Sequence, residues 1–148
     1  MDFTKQDIIN EGLLLLENKE QALKKLIADT RESNNDTKSS MGDKYETSRE
    51  MLQQEINMLE KQLVEVVSQK QFFLKLKPDH TERVLVGALV DTSLGSFYIS
   101  TGIGELNMGT RKIKTISANA PFVKALMGKQ AGDAFEINGK KHQISQIY

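Results

Sequence analysis

The sequence predicts an α+β fold, in which an N-terminal antiparallel coiled-coil hairpin of two helices precedes a small antiparallel β domain with one short helix. Helix-forming Glu, Gln, Lys and Leu concentrate in residues 1–77, whereas both prolines and most of the glycines and β-branched residues lie in residues 78–148. Helices followed by strands favour α+β over alternating βαβ units. We therefore expect a coiled-coil hairpin over residues 1–77 and a β domain over residues 78–148, with the boundary near Pro78.

The first helix is predicted from the spacing of apolar residues downstream of Ile9. These residues follow one another in steps of three and four, with Glu20 in one position of the stripe and Thr30 at its end; they are Leu13, Leu16, Leu23 and Ile27. Such spacing is typical of a coiled-coil seam of about three heptads.

The second helix is predicted from a matching stripe. Its members are Leu52, Ile56, Leu59, Leu63 and Val66, followed by Phe73 or Leu74. Residues 33–42 between the two stripes have no apolar period and are rich in Ser, Asn and Asp, which predicts a turn. Antiparallel pairing would place Asp36 to Tyr45 at the far end of a rod. Heptads do not distinguish pairing within a chain from pairing between chains, so a dimerisation coil is the alternative.

The β domain is predicted from short apolar runs between turns. Val84 to Val90 indicates a buried strand with Ser96 to Ile99 as its hairpin partner, and further strands are expected over residues 112–117, 134–137 and 142–147. Residues 121–127 favour a short helix that begins near a proline and ends at Gly128. Residues 131–133 and the Asn138-Gly139 pair are expected to be turns, the latter of a hairpin.

Composition excludes several classes of site. The chain has no cysteine, and its 20 basic residues balance its 20 acidic residues, so disulfides, thiolate chemistry and an overall basic nucleic-acid surface are not expected. With His80 and His142 as the only histidines, we expect no intrinsic metal site and no cofactor. The N-terminus lacks a signal-peptide pattern and no segment reaches membrane-spanning length, so we expect a cytoplasmic protein without membrane contact.

Few residues suggest chemistry of their own. The glycines of residues 102–109 do not fit phosphate-loop spacing and more readily shape a β-turn or bulge. Ser93, Ser96 and Ser100 lack histidine and acid partners at a recognisable spacing. His142 is expected to be an ordinary polar strand position.

The predicted tip carries the one suggestive cluster, the acids Asp36, Asp43 and Glu46. Carboxylates at the end of a rod can reach another protein's active site, where their oxygens suit Mg²⁺ and can orient a water molecule. The alternative is helix capping, because Asp43 lies three residues before Glu46, which is capping-box spacing.

Together these features resemble the Gre family of transcript-cleavage factors. The more specific match is residues 116–133, ISANAPFVKALMGKQAGD, which is similar to a family run of Ile-Ser, a small residue before proline, Ala-Leu-hydrophobic-Gly-Lys and Gly-Asp. Residues 40–50 are similar to the family segment in which Tyr-Asp begins the second helix. The resemblance covers essentially the whole chain and implies an FKBP-like β domain.

The resemblance also implies a partner and a mode of action. In Gre proteins the β domain docks at the rim of the secondary channel of bacterial RNA polymerase, and the hairpin reaches the catalytic Mg²⁺, where it stimulates cleavage of backtracked RNA. Alignment on Tyr45 places Lys38 and Met41 at the positions of the two family tip acids. Neither residue supplies an oxygen ligand, so the catalytic residues stay unassigned, with Asp36, Asp43 and Glu46 as candidates.

The sequence therefore predicts a non-enzymatic RNA polymerase-binding elongation regulator that acts through the secondary channel. We expect a monomer, contact with nucleic acid only through the polymerase, and possible contact with the polymerase Mg²⁺. One alternative is an FKBP-like peptide-binding or prolyl isomerase module, which the few aromatics of the second half disfavour. Another is a coiled-coil adaptor, which would oligomerise.

Overall fold

A computed structural model describes residues 1–38 and 46–148, with the backbone alone for residues 36–38. Two long helices precede six strands and a short helix, which confirms the α+β prediction. The elements in chain order are α1 (Lys5–Lys38), α2 (Glu46–Leu74), β1 (Leu89–Thr92), β2 (Gly95–Ser100), β3 (Glu105–Met108), β4 (Arg111–Ser117), α3 (Pro121–Lys124), β5 (Ala134–Ile137) and β6 (Lys140–Ile147).

The chain divides into two compact units. One, the sheet unit, comprises Met1–Leu14 and Gln71–Tyr148, and the other, the hairpin unit, comprises Leu15–Lys70. Each long helix therefore contributes residues to both units. The boundary near Pro78 stays a prediction from composition. In the described residues, 1–38 and 46–148, we find no helix long and apolar enough to cross a membrane.

Helix α1 begins four residues before the predicted apolar stripe because it has its own cap. The Thr4 hydroxyl accepts a hydrogen bond from the Asp7 backbone N–H at 3.1 Å, and the Asp7 carboxylate accepts one from the Thr4 backbone N–H at 2.8 Å. This reciprocal pair satisfies two donors that the first turn of a helix leaves free. The helix start is thus fixed by Thr4 and Asp7.

In the hairpin unit the two helices run antiparallel. Lys70, near the end of α2, pairs with Glu17 on the early part of α1, while Arg31 farther along α1 pairs with Glu60. Later positions on one helix thus meet earlier positions on the other. The predicted antiparallel hairpin is confirmed, and the seam of α1 is covered by α2 of the same chain.

The predicted seam is buried as expected for alternating steps of three and four. Ile27, Ile56 and Leu59 form an apolar cluster against which Leu23 and Leu63 pack. At the end of α2 the seam position is Phe73, which is fully buried, and not Leu74, which is 64% exposed.

The predicted turn over residues 33–42 is wrong for its first six positions, because α1 continues to Lys38. The remaining positions lie outside the described residues. Thr30 and Asn34 continue the three-four spacing beyond Ile27, and both are buried. The seam therefore does not end at Thr30 but continues with polar residues. Packing at these buried positions outweighs the weak helix propensity of Thr and Asn.

The six strands form one sheet in the order β3-β4-β2-β1-β6-β5. All neighbouring pairs are antiparallel except β2 and β4, which are parallel. The prediction of an antiparallel sheet therefore needs one correction. The parallel pair arises because β3 and its turn lie between β2 and β4 in sequence, so the chain returns to β2 in the same direction.

The predicted strand Val84 to Val90 is wrong over most of its length, because β1 begins only at Leu89. The Ala88 N–H donates to the Leu85 carbonyl at 3.0 Å, and Gly87 has φ of +95°, so the chain turns here. Val84 and Ala88 are buried, whereas Leu85 is 42% exposed. The apolar run reflects contacts with the core and not strand pairing.

Residues 102–109, predicted as a turn or bulge, contain the edge strand β3, which pairs with β4. The predicted hairpin at Asn138-Gly139 is confirmed, with φ of 51° and 78° at the two residues. Positive φ at both central positions is what a type I′ turn requires. The short helix is confirmed as well, although α3 ends at Lys124 instead of Met127.

Each face of the sheet is covered within the sheet unit. On one face Val123 and Leu126, in and just after α3, join Phe97, Ile99, Phe135 and other strand residues in an apolar core. On the other face Tyr98 lies with its ring centroid 6.4 Å from that of Phe73. Successive strand residues point to opposite faces, so Phe97 and Tyr98 belong to different cores.

Candidate functional site

Two of the three candidate acids lie at the ends of the two long helices in the hairpin unit. Asp36 is in the last turn of α1, Glu46 is the first residue of α2, and Asp43 lies outside the described residues. Because α1 and α2 are antiparallel, the end of one and the start of the other lie at the same end of the unit. The proposed Asp43–Glu46 capping box stays a prediction.

Glu46 is the candidate acid whose side chain the structure describes. Its side chain is 61% exposed, and its carboxylate lies 4.0 Å from the guanidinium of Arg49 one turn later. A carboxylate in the first turn is favoured by the helix dipole, and an exposed pair of this kind contributes little to stability. Glu46 therefore presents its carboxylate to solvent at the start of α2.

Behind these acids the seam is polar. The Thr30 hydroxyl donates to the Leu26 carbonyl of its own helix at 2.7 Å. Asn34 is only 6% exposed, and its Oδ1 has no hydrogen-bond partner among the described residues. A buried amide oxygen without a partner costs free energy. The seam beyond Ile27 is thus polar at two successive positions, Thr30 and Asn34.

A second polar position interrupts the seam nearer the other end of the unit. We call Glu17, Glu20 and Lys70 the charged layer. Lys70 Nζ donates to the carboxylate of Glu17 and, at 3.2 Å, to that of Glu20. The Glu20 residue is only 8% exposed. The hydrogen bonds from Lys70 and then Gln21 lower the pKa of Glu17, and those to Glu17 and Glu20 raise the pKa of Lys70.

The position of Glu20 in the seam was predicted from the sequence, whereas its partner Lys70 was not. Lys70 follows Val66 by four residues and precedes Phe73 by three, which is the seam spacing. The signal was therefore present: each helix carries one charged seam residue, and their signs are opposite.

We find no group of three or more His, Asp or Glu side chains that could hold a metal ion in residues 1–38 and 46–148. Glu46, with its Arg49 partner, offers a single carboxylate. A carboxylate such as that of Glu46 can add an oxygen ligand to an ion that another molecule holds. The described carboxylates do not form a metal-binding site by themselves.

One contact in the sheet unit was not anticipated. Ser93 and His142, for which no pairing was expected, lie close together, with Ser93 Oγ 3.4 Å from Nδ1 of the histidine. The Ser93 hydroxyl also accepts a hydrogen bond from the Gln143 backbone N–H at 3.3 Å. The imidazole stacks on Phe135 at 5.5 Å between ring centroids. These contacts join the β1–β2 turn to β6, and His142 lies within a strand, as predicted.

Three aromatic residues of the second half pack together on one face of the sheet. Phe122 lies between Phe97 and Phe135, with ring centroids 4.7 Å and 5.9 Å away. Tyr98 is on the opposite face of the sheet, and burial raises its pKa to about 12. Phe122 therefore packs against both of its aromatic neighbours.

No protein-family model matches the chain, and no curated protein matches it. It is similar to a solved structure described as that of the transcription factor Gfh1, with 16% identity, 93% of this chain and 94% of the other covered, and a TM-score of 0.37. It is also similar to the GreA factor homolog 1 (Gfh1) protein of Thermus thermophilus, with 16% identity, coverage of 87% and 94%, and a TM-score of 0.35.

Proposed function

We propose that this protein is a regulator of transcription elongation that binds bacterial RNA polymerase and inserts the end of its hairpin unit into the secondary channel. The observation that carries the proposal is the antiparallel pairing of α1 and α2 within one chain. Such pairing satisfies the seam internally and leaves exposed side chains at the end of the unit, such as Glu46, available to a partner. The sequence resemblance to the Gre family supplies the identity of that partner.

The protein needs no activity of its own in this role. The polymerase supplies the catalytic Mg²⁺, and the hairpin would bring carboxylates to it. Asp36, Asp43 and Glu46 are the candidates, since Lys38 and Met41 occupy the positions of the family acids. A carboxylate near the ion can orient a water for attack on the RNA phosphate. Whether these acids stimulate cleavage, or only occupy the channel, depends on ångström-scale placement.

The test is transcript cleavage by a purified, deliberately backtracked polymerase complex with and without the protein, alongside a pull-down of the same polymerase. Glu46→Gln and Asp43→Asn each remove a charge while keeping side-chain size. Glu50→Gln is the matched control, because Glu50 is an exposed acid one turn farther along α2.

Each result has a defined meaning. Cleavage that falls by about tenfold or more in the Asp43 or Glu46 variants, but not in the Glu50 control, would assign the acids a direct role. Binding without cleavage would make the protein a channel-occupying regulator. Absence of binding to the polymerase would contradict the proposal.

A further inference from the structure

We infer that the charged layer of Glu17, Glu20 and Lys70 sets the register of the hairpin and disfavours parallel pairing of α1 with α1, or of α2 with α2, between two copies of the chain. The inference concerns how the two helices recognise each other. It does not depend on what the hairpin binds.

The first step is the position of the charges. The seam of α1 consists of residues 13, 16, 20, 23, 27, 30 and 34, and that of α2 of residues 52, 56, 59, 63, 66, 70 and 73. In the α1 series the one ionisable member is Glu20, and in the α2 series it is Lys70. The two meet, with Lys70 Nζ 3.2 Å from the Glu20 carboxylate.

A slipped register of the two helices would separate Glu20 from Lys70. Apolar seam residues are nearly interchangeable, so a slip by one heptad would keep apolar residues against apolar residues. A slip in one direction would, however, place Glu20 against Leu63, and a slip in the other direction would place Lys70 against Ile27. A buried charge that loses its partner is strongly unfavourable. The charged layer thus penalises a slip of one heptad in either direction.

The charges also affect pairing between identical helices of two chains. A parallel pair of two α1 helices would bring Glu20 against Glu20, and a parallel pair of two α2 helices would bring Lys70 against Lys70. Like charges at facing seam positions repel. The opposite signs on the two helices therefore favour α1 with α2.

Glu17 completes the layer. Its side chain is 42% exposed, compared with 11% for Glu20, and it gives Lys70 a second carboxylate at the edge of the seam. Two acceptors hold the ammonium group where a single buried carboxylate would leave some of its donors unpaired.

The test uses disulfide formation, which the absence of cysteine in the natural chain makes simple. Arg31 and Glu60 are paired across the helices, so Arg31→Cys with Glu60→Cys reports the native register. Arg31→Cys with Gln53→Cys, or with Val67→Cys, reports a slip of one heptad in either direction. Each pair is introduced into the otherwise natural chain and into the layer variants below.

The main variant is Glu20→Leu with Lys70→Leu, which keeps the seam packed and the hairpin folded. In a chain with the natural charged layer, we expect the cysteine pair at positions 31 and 60 to oxidise at least about tenfold faster than either pair that reports a slip. In the double-leucine variant that preference should shrink by about tenfold or a dimer should appear by light scattering. An unchanged preference in a monomeric double-leucine variant would overturn the inference.

Lys70→Glu and its compensated form distinguish register from folding. Lys70→Glu alone gathers three acids and should lose the native preference. Adding Glu20→Lys restores opposite charges across the seam and should recover it. If the exchanged pair fails to recover the native cross-link while its helix content equals that of the natural chain, the charges do not set the register.

Discussion

The sheet unit and the hairpin unit are stabilised in different ways. In the sheet unit, large side chains such as Tyr98, Phe73 and Leu126 are fully buried on the two faces of one sheet. In the hairpin unit, a single seam carries the packing, and charged or polar residues replace apolar ones at Glu20, Thr30 and Asn34. The sheet unit thus relies on apolar burial for stability. The hairpin unit gives up part of that burial for specific pairing of its two helices.

The largest expected effect is a cavity in the sheet unit. Leu126 is 0% exposed within the α3 core, so Leu126→Ala should lower the free energy of unfolding by about 3 kcal/mol. Leu59→Ala, in the hairpin seam, should cost about 2 kcal/mol, because Leu59 keeps some exposure and a thin seam can close around the gap. Chemical denaturation of both variants measures the difference. A larger loss for Leu59→Ala would contradict the comparison. Met127→Ala, at an exposed neighbour, is the control.

A second effect comes from overpacking. A Cβ atom added at Gly12 would lie 2.4 Å from Cε1 of Phe73, so the ring must move. Gly12→Ala should therefore destabilise the protein by about 1–3 kcal/mol, despite the better helix propensity of alanine. Phe73→Leu in the same chain should recover part of the loss. The control is Gly102→Ala, because no atom lies within 4 Å of a Cβ built there.

Features that depend on local sequence signals were predicted well, whereas features that depend on tertiary contacts were not. The hairpin seam follows from a period, and Asn138-Gly139 follows from turn chemistry; both are local signals. Val84 to Val90 was misassigned because residues that contact a core look the same whether or not they pair as a strand. The end of α1 was misassigned because Asn34 is polar by type but buried by register.

The candidate site was predictable only in part. The acids Asp36, Asp43 and Glu46 were found from their place between two stripes, and the structure describes the side chain of Glu46 alone. The charged layer required knowing which residue of α2 faces Glu20. That information lies in the antiparallel register and not in either helix separately.

A third prediction concerns the polar end of the hairpin seam. Asn34→Leu replaces a buried amide, whose Oδ1 has no partner among the described residues, by an apolar group of similar size. The free energy of unfolding should rise by about 1 kcal/mol. Asn35→Leu, at the exposed neighbouring position, should change it by less than about 0.5 kcal/mol. Destabilisation by Asn34→Leu in thermal melts would show that the amide is satisfied in solution.

The smallest effect is the pH dependence of the charged layer. Glu17 has a lowered pKa in the folded chain, so its contribution is present above its ordinary pKa of 4.5 and is lost as pH falls through the folded value. Lys70 has a raised pKa, so its contribution is complete below 10.5 and is lost only at more alkaline pH. Melting temperatures between pH 7 and pH 3 should fall less steeply for Glu17→Gln than for the natural chain. Equal slopes would contradict the pairing.

Insertion of the hairpin unit into the polymerase is tested most directly by photo-cross-linking from the end of that unit to RNA polymerase. A photoreactive residue at position 46 should cross-link to the catalytic subunit beside the secondary channel, and excess natural protein should compete the cross-link away. The same residue at exposed position 24, on α1 away from that end, is the control. Specific cross-links from position 46 near the catalytic Mg²⁺ are the predicted result. No competable cross-link, in a complex that binds the protein, would contradict insertion of the hairpin.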